Sequence, residues 1–211
     1  MNMVGLILKD LMTIQRQLKA QAMVMIFFLL MSIFIQEGSI LLTIVVFIVT
    51  FQAITALTYD EQSSWDKYAN TLPISKGDIV LSKYILSIFL LIVGLIFALP
   101  IILIIHRFTP NNWASAEFFL TFNLIVTFAF CMLALLLPIY IKFGSIKGRM
   151  VLIAICFIPG FLFGLINKQL SDLLVILTNI KQFMFLAPFA GLLILWLSSL
   201  ISTAIYKHKE F

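Results

Sequence analysis

Apolar residues run through this chain in long continuous stretches, parted by short polar segments. Runs of this length, without alternation of period two, predict helices rather than strands. They place spans at about 20–36, 40–58, 76–105, 118–141, 150–166 and 183–206. The first is close to the lower limit, about 17 residues, for crossing a bilayer. The third, at 1.5 Å per residue, extends to about 45 Å. A hydrocarbon core is about 30 Å thick, so the first turns of that helix are expected to project into water. Gly94 and Pro100 are candidate kink points within it, and Pro159-Gly160 interrupts the fifth span. The apolar run at about 171–180 is too short to cross and reads as a re-entrant or interfacial segment.

Two stretches depart from this pattern. In residues 1–19, Val4, Ile7, Leu8, Leu11, Ile14 and Leu18 form one stripe, while Lys9, Asp10, Thr13, Arg16 and Gln17 occupy the other side. That spacing predicts an amphipathic helix lying in the membrane interface, not a cleavable signal, whose charge would precede an unbroken apolar core. The second is the longest polar interruption, Tyr59 to Tyr84, which holds Asp60, Glu61, Asp66 and Asp78, four of the nine acidic residues. Within it Trp65, Tyr68, Ala69 and Leu72 share one helical face, and Asp66, Lys67 and Asn70 point elsewhere. Ser63 before Asp66, and Ser75 before Asp78, are capping-box-like starts. Pro73 ends the helix, because the residue before a proline is pushed out of the α region. The stretch therefore reads as span, turn, short helix at about 64–72, proline break, new span. A short rigid helix between two spans suits handing force to a partner; a surface loop lying on the headgroups fits the pattern equally well.

Composition fixes the class. Of 211 residues, 63% are hydrophobic and 11% charged, and the mean hydropathy is +1.15. This is expected to be an all-α integral membrane protein of one transmembrane domain, residues 1–211, with no separate soluble domain. The placement of the 14 Lys and Arg residues orients it. With six spans and both termini on one side, only Arg107, Lys168 and Lys181 fall outside, which puts the termini and the Tyr59–Tyr84 stretch in the cytoplasm. Cys131 and Cys156 both lie in apolar runs and form no disulfide framework.

The chemistry that these residues exclude is as useful. There is no Gly-rich loop ending in Lys-Ser/Thr to cradle phosphates, no His/Cys ligand cluster for a metal, and no nucleophile, base and acid set. No catalytic residue, resident cofactor or nucleic-acid partner is expected. No charge lies in the middle of a predicted span, where proton relays and ion-coupled sites place them. Gln52, Thr55 and Asn123 are among the uncharged polar groups there; they are candidates for a translocation path, although bonding between helices is the commoner use of such side chains. Any energy source must come from outside this chain.

Three segments together, LILKDLMTIQRQLK, YDEQSSWDKYANTLPISKGDIVLSKY and LPIYIKFGSIKGR, resemble the ABC-2 type transporter permeases, in particular the small bacterial subgroup that includes the phenol-soluble modulin exporter permeases. The resemblance covers the whole chain. It implies a six-helix ABC-2, or type V exporter, fold in the bacterial plasma membrane. Two permease chains, identical or related, are expected to assemble with two cytoplasmic ATPase subunits that bind ATP and Mg. It implies a connecting helix at residues 1–19, where Lys9, Asp10, Leu11, Ile14 and Arg16 lie. It also implies a coupling helix between spans two and three, with Trp65, Asp66, Tyr68, Ala69 and Leu72 at the ATPase interface. Asp60 and Glu61, beside Lys67, Lys76 and Lys83, are expected to stiffen that loop by pairing across the turn. The cargo expected is amphipathic or apolar, such as a peptide. The competing reading is a membrane immunity or scaffold protein that binds an antimicrobial peptide without transporting it.

Overall fold

The computed structural model describes residues 3–35, 38–108, 115–165 and 186–209. All the regular structure among them is helical: α1 (Met3–Ile35), α2 (Gly38–Gln62), α3 (Trp65–Ala69), α4 (Lys76–Phe108), α5 (Ser115–Leu165) and α6 (Ala187–Lys207). Helix α2 packs on α4 and α5, and α5 packs on α6. The largest core cluster joins these four helices through residues such as Leu42, Val46, Leu91, Leu133, Leu137 and Leu195. Two small residues let the helices approach closely. A Cβ on Gly94 of α4 would lie 2.6 Å from Val49 Cγ2 on α2, and one on Gly191 of α6 would lie 3.1 Å from Phe130 Cβ on α5. Small residues at helix contacts are how membrane helices gain packing energy, since lipid already satisfies their apolar surface.

Among the described residues, four helices are long and apolar enough to cross a membrane: Leu41–Gln62, Lys76–Leu103, Phe118–Ala154 and Ala187–Lys207. A fifth results if the bent pair Met3–Gln15 and Ala20–Ile35, inclined at 67°, is taken as one span. The boundary expected between residues 1–19 and the first span is thus a bend within α1. The fourth and fifth expected spans fall in one helical run, α5, broken at Gly144 (φ 77°, ψ −179°). That left-handed φ is readily adopted only by glycine. Beyond it the chain turns back on itself: Gly148 lies against the Tyr140 ring, and Leu152 packs on the cluster of Ile54, Leu136 and Tyr140. The re-entrant segment expected at about 171–180 and the beginning of the last span lie outside the described residues.

The N-terminal half of α1 corrects the amphipathic reading. Leu6, Asp10 and Ile14, spaced by four, are all buried, whereas Val4, Leu8 and Met12 are exposed. Asp10 was expected on the polar, headgroup side and is instead 1% exposed. The face that meets the protein carries the charge, and an apolar face is left outward. This half of α1 packs over the early turns of α4, where Lys83 and Leu86 are buried. One side of those turns, which the helix length is expected to carry past the bilayer, is covered by α1, while Leu81 and Ile85 are exposed.

Candidate functional site

Helices α1, α2 and α4 converge at the end of the bundle where α3 joins α2 to α4. Each contributes charge there. Lys83 Nζ on α4 lies 2.7 Å from Asp10 Oδ2 on α1 and also pairs with Asp60 Oδ2 on α2. Lys9 Nζ lies 2.5 Å from Asp60 Oδ1 and 2.9 Å from Asp10 Oδ1. Two lysines and two aspartates thus form a closed, formally neutral ring. Three of the four are buried, and the Lys9 side chain is 24% exposed. Desolvating charges costs several kcal/mol per ion, so such groups persist only when fully paired. The ring ties three helices together at one point.

The ring continues into α3. Lys9 Nζ sits 4.3 Å from the centre of the Trp65 ring, a cation–π contact. Trp65 in turn packs on Tyr68, ring centres 5.3 Å apart, and on the main core cluster. Ala69 is fully buried. From the other side Tyr206 Oη of α6 donates to Asp66 Oδ1 at 3.3 Å, and Lys209 Nζ lies 3.8 Å from Asp66 Oδ2. Helix α3 is therefore held by α1, by the core and by the end of α6. Its outward surface carries Lys67, Tyr68, Asn70 and Thr71, with Tyr68 56% exposed.

This placement corrects several expectations. The short helix spans Trp65–Ala69, not 64–72, because Asn70 and Thr71 turn through bonds to Asp66 O and Tyr68 O. Ser63 does not cap it; its hydroxyl donates to Tyr59 O and Asp60 O. Ser64 precedes the helix in a left-handed conformation, φ 52°, without a side-chain cap. The apolar face drawn as one surface is divided. Trp65 and Ala69 turn inward, Tyr68 outward, and Leu72 is half-buried. By contrast Ser75 does cap α4, accepting the Asp78 amide at 3.0 Å.

The loop-stiffening residues behave differently from one another. Asp60 pairs with both Lys83 and Lys9. Among the described residues Glu61 pairs with no lysine; its carboxylate accepts the Ser145 amide at 2.5 Å and packs against Gly144. It therefore caps the second half of α5 at its first turn. Lys76 Nζ donates to Lys207 O at 3.2 Å, joining α4 to α6, and Lys67 is exposed. Leu11 and Ile14 pack with Ala56 and Leu86, while the side chain of Arg16 lies outside the described residues. A cavity of about 80 Å³ lies among Asp60, Glu61, Asp66, Lys83, Tyr140, Tyr206 and Lys209. It is well below the several hundred Å³ of a ligand site.

The candidate path residues do not gather. Gln52 is buried and bonds Gln21 of α1. Thr55 and Asn123 donate back to Phe51 O and Phe119 O of their own helices. Polar contacts that were not anticipated tie other helices together: Gln17 Nε2 donates to Tyr59 Oη at 2.8 Å, and Tyr84 Oη meets Ser198 Oγ and Ser202 Oγ at 2.8 and 2.7 Å. A spacing of four between Ser198 and Ser202, on one face of the last span, was the available signal for the second.

Spanning helices, a buried ion ring at one end and a short helix mounted on it define a multi-pass membrane protein with a braced connecting segment. The sequence model of the family described as "ABC-2 family transporter protein" matches residues 5–207. The chain belongs to that family, and is a membrane permease of the ABC-2 class. No curated protein and no solved structure matches it significantly.

Proposed function

We propose that this chain is the membrane-spanning subunit of an ATP-driven exporter, with hydrolysis on a separate ABC ATPase that carries ATP and Mg. Two permease chains share the assembly in a bacterial plasma membrane, in the six-span type V exporter arrangement, both termini cytoplasmic. The cargo is amphipathic or apolar, with peptides as the class to test first, in keeping with the resemblance to phenol-soluble modulin exporter permeases. The observation that carries the reading, beside membership of the family, is the mounting of α3. Its inner face is buried, its first turn is tied to α1 through Trp65 and to α6 through Asp66, and Tyr68 with Lys67 faces outward at the end of the bundle. A helix fixed on one side and exposed on the other passes force without absorbing it.

In this reading α3 is the coupling helix, and Tyr68 rather than Trp65 is the aromatic anchor for the ATPase. Exposed aromatics that become buried in a partner commonly contribute about 2 kcal/mol or more. The test is co-expression with candidate ATPase subunits in proteoliposomes, comparing wild type with Tyr68→Ala. The variant should fold, since Tyr68 is mostly solvent-facing, yet lose ATPase capture or the ratio of transport to hydrolysis. Full capture and an unchanged ratio would remove α3 from the interface. A chain that binds an antimicrobial peptide and protects cells with no ATPase at all would favour the immunity reading.

A further inference from the structure

Two basic segments that lie about sixty residues apart in sequence meet in the fold. One is the turn at the Gly144 break, with Lys142, Lys147 and Arg149; the other is the end of α6, with Lys207, His208 and Lys209. Lys209 Nζ donates to Ile141 O at 3.1 Å, which fixes the two together. Between them is an open cleft of about 520 Å³ lined by Lys142, Ala204, Ile205, His208 and Lys209. Lys142, His208 and Lys209 line the cleft itself. Asp66 lies 3.8 Å from Lys209 and is also engaged by Tyr206, and the Glu61 carboxylate is taken up by the Ser145 amide at the turn.

Apolar side chains stand beside these charges without cover. Phe143 is 47%, Ile146 73% and Met150 67% exposed. A turn that exposes lysine and large apolar groups in alternation is unfavourable in water and favourable at the boundary between headgroups and acyl chains. The cleft has the same mixed character: cations at its mouth, Ala204 and Ile205 on its wall. The carbonyl end of α6 repels anions, but only by about half a charge, against Lys142 and Lys209 at the cleft. Basic pockets between membrane helices on the cytoplasmic side hold anionic headgroups on these grounds.

We propose that this cleft binds the headgroup of an anionic glycerophospholipid from the inner leaflet. Its phosphate lies among Lys142, Lys209 and His208, and its acyl chains run past Ala204 and Ile205 with Phe143 and Ile146 beside them. Charge complementarity selects an anionic lipid over a zwitterionic one, and the exposed apolar residues select a lipid over a soluble phosphate. The inference rests on the proposed orientation, with the chain end cytoplasmic, but not on transport, so failure of the exporter reading leaves it standing.

The experiment uses the full chain in nanodiscs of phosphatidylcholine doped with a photoactivatable phosphatidylglycerol, and adducts are mapped by peptide mass spectrometry. Adducts should concentrate in residues 142–150 and 204–209, and phosphatidylglycerol should outcompete phosphatidylcholine. Each lysine removed should weaken apparent affinity about fivefold, so Lys142→Gln with Lys209→Gln should lower it well over tenfold. Lys147→Gln, at an exposed position where folding is not in question, should give the single-lysine effect. Lys67→Gln on α3 should give none. Raising salt to 0.5 M should mimic the variants, since exposed charges are screened. Equal labelling by both lipids, or wild-type labelling of the double variant, overturns the proposal. So does displacement of the adduct by inorganic phosphate, which would mark a bare anion site. Loss of all labelling when an ATPase is bound would assign the cleft to a protein interface instead, and would also overturn it.

Discussion

Removing Lys83 should cost this protein more stability than removing any exposed lysine. Lys83 holds Asp10 at 2.7 Å and pairs with Asp60, and all three are buried. Lys83→Met keeps most of the volume and deletes the charge. Two aspartates then remain beside a single lysine, Lys9, and the ring goes from neutral to a net charge of −1. Breaking a buried pair in this way costs about 3–5 kcal/mol, because the surviving ion keeps its desolvation penalty without its partner. Replacing both partners with apolar groups is far less costly and is sometimes stabilising. So Lys83→Met combined with Asp10→Leu, which leaves Lys9 and Asp60 as a matched pair, should recover a large part of the loss. At roughly 2–4 °C per kcal/mol for a chain of this size, the single variant should melt about 6–20 °C lower than wild type. The assay is thermal unfolding of the purified chain in one detergent, followed by tryptophan fluorescence, with Lys67→Met as the exposed control. If Lys83→Met melts within a degree or two of Lys67→Met, or if the double variant is no better than the single, the ring does not hold the helices together.

Four further outcomes follow from other contacts. Glu61→Ala should lose about 1 kcal/mol, the usual worth of a helix cap. Gly144→Ala should cost more in the wild type than in Glu61→Ala, because its Cβ would lie 2.7 Å from Glu61 Oε1; a double-mutant cycle in melting temperature reads the coupling, and additivity would deny the contact. Tyr84→Phe should destabilise by about 0.6–1.5 kcal/mol through loss of its bonds to Ser198 and Ser202, measured in the same melts, and an unchanged melt would mean the serines bond elsewhere. Trp65→Ala should lower stability by about 2 kcal/mol, having lost core packing and the contact with Lys9, whereas Tyr68→Ala should change it by less than about 0.5; equal effects would contradict the inward and outward assignment.

How far the sequence alone reached depended on the kind of contact. Lipid makes its demand on the chain locally, so the apolar runs predicted helices that the described residues contain, and the polar interruption at Tyr59–Tyr84 does hold a short helix. Burial of Asp10 was not legible, because the sequence assigns it to a polar face and polar faces are expected in water. Its neighbours at a spacing of four, Leu6 and Ile14, were a weak sign that the face was mixed. Nothing in the sequence brings Lys9 to Trp65 or Lys209 to Ile141, since those meetings depend on how helices far apart in the chain cross. The break at Gly144 falls in the gap expected between the fourth and fifth spans; that Glu61 is its cap was not legible, since the two are separated by more than eighty residues.

The adjacent carboxylates Asp60 and Glu61 show why the same two residues could not be read as one device. Neighbours on a helix point about 100° apart, so side chains one residue apart at the end of α2 face different partners. Asp60 turns to α1 and α4 and closes the ion ring. Glu61 turns to α5 and caps it where the chain breaks. The turn into α3 begins directly after them, with the Ser64 amide bonded to Glu61 O at 3.1 Å. A displacement of α3 therefore reaches both groups of helices through these two residues, as well as through its own contacts with α1 and α6. The two joints differ in kind: the buried ring on the Asp60 side resists separation by kcal/mol, while the cap on the Glu61 side is one hydrogen bond at a glycine break, which is easier to move. Motion entering at α3 should accordingly carry α1, α2 and α4 as a block and be taken up at Gly144. Distances between spin labels at exposed Met12 and Leu81 should stay fixed through a transport cycle, while those between Leu81 and Met150 change. Fixed distances in both pairs, or movement within the first, would show that the rigid and yielding joints are the other way round.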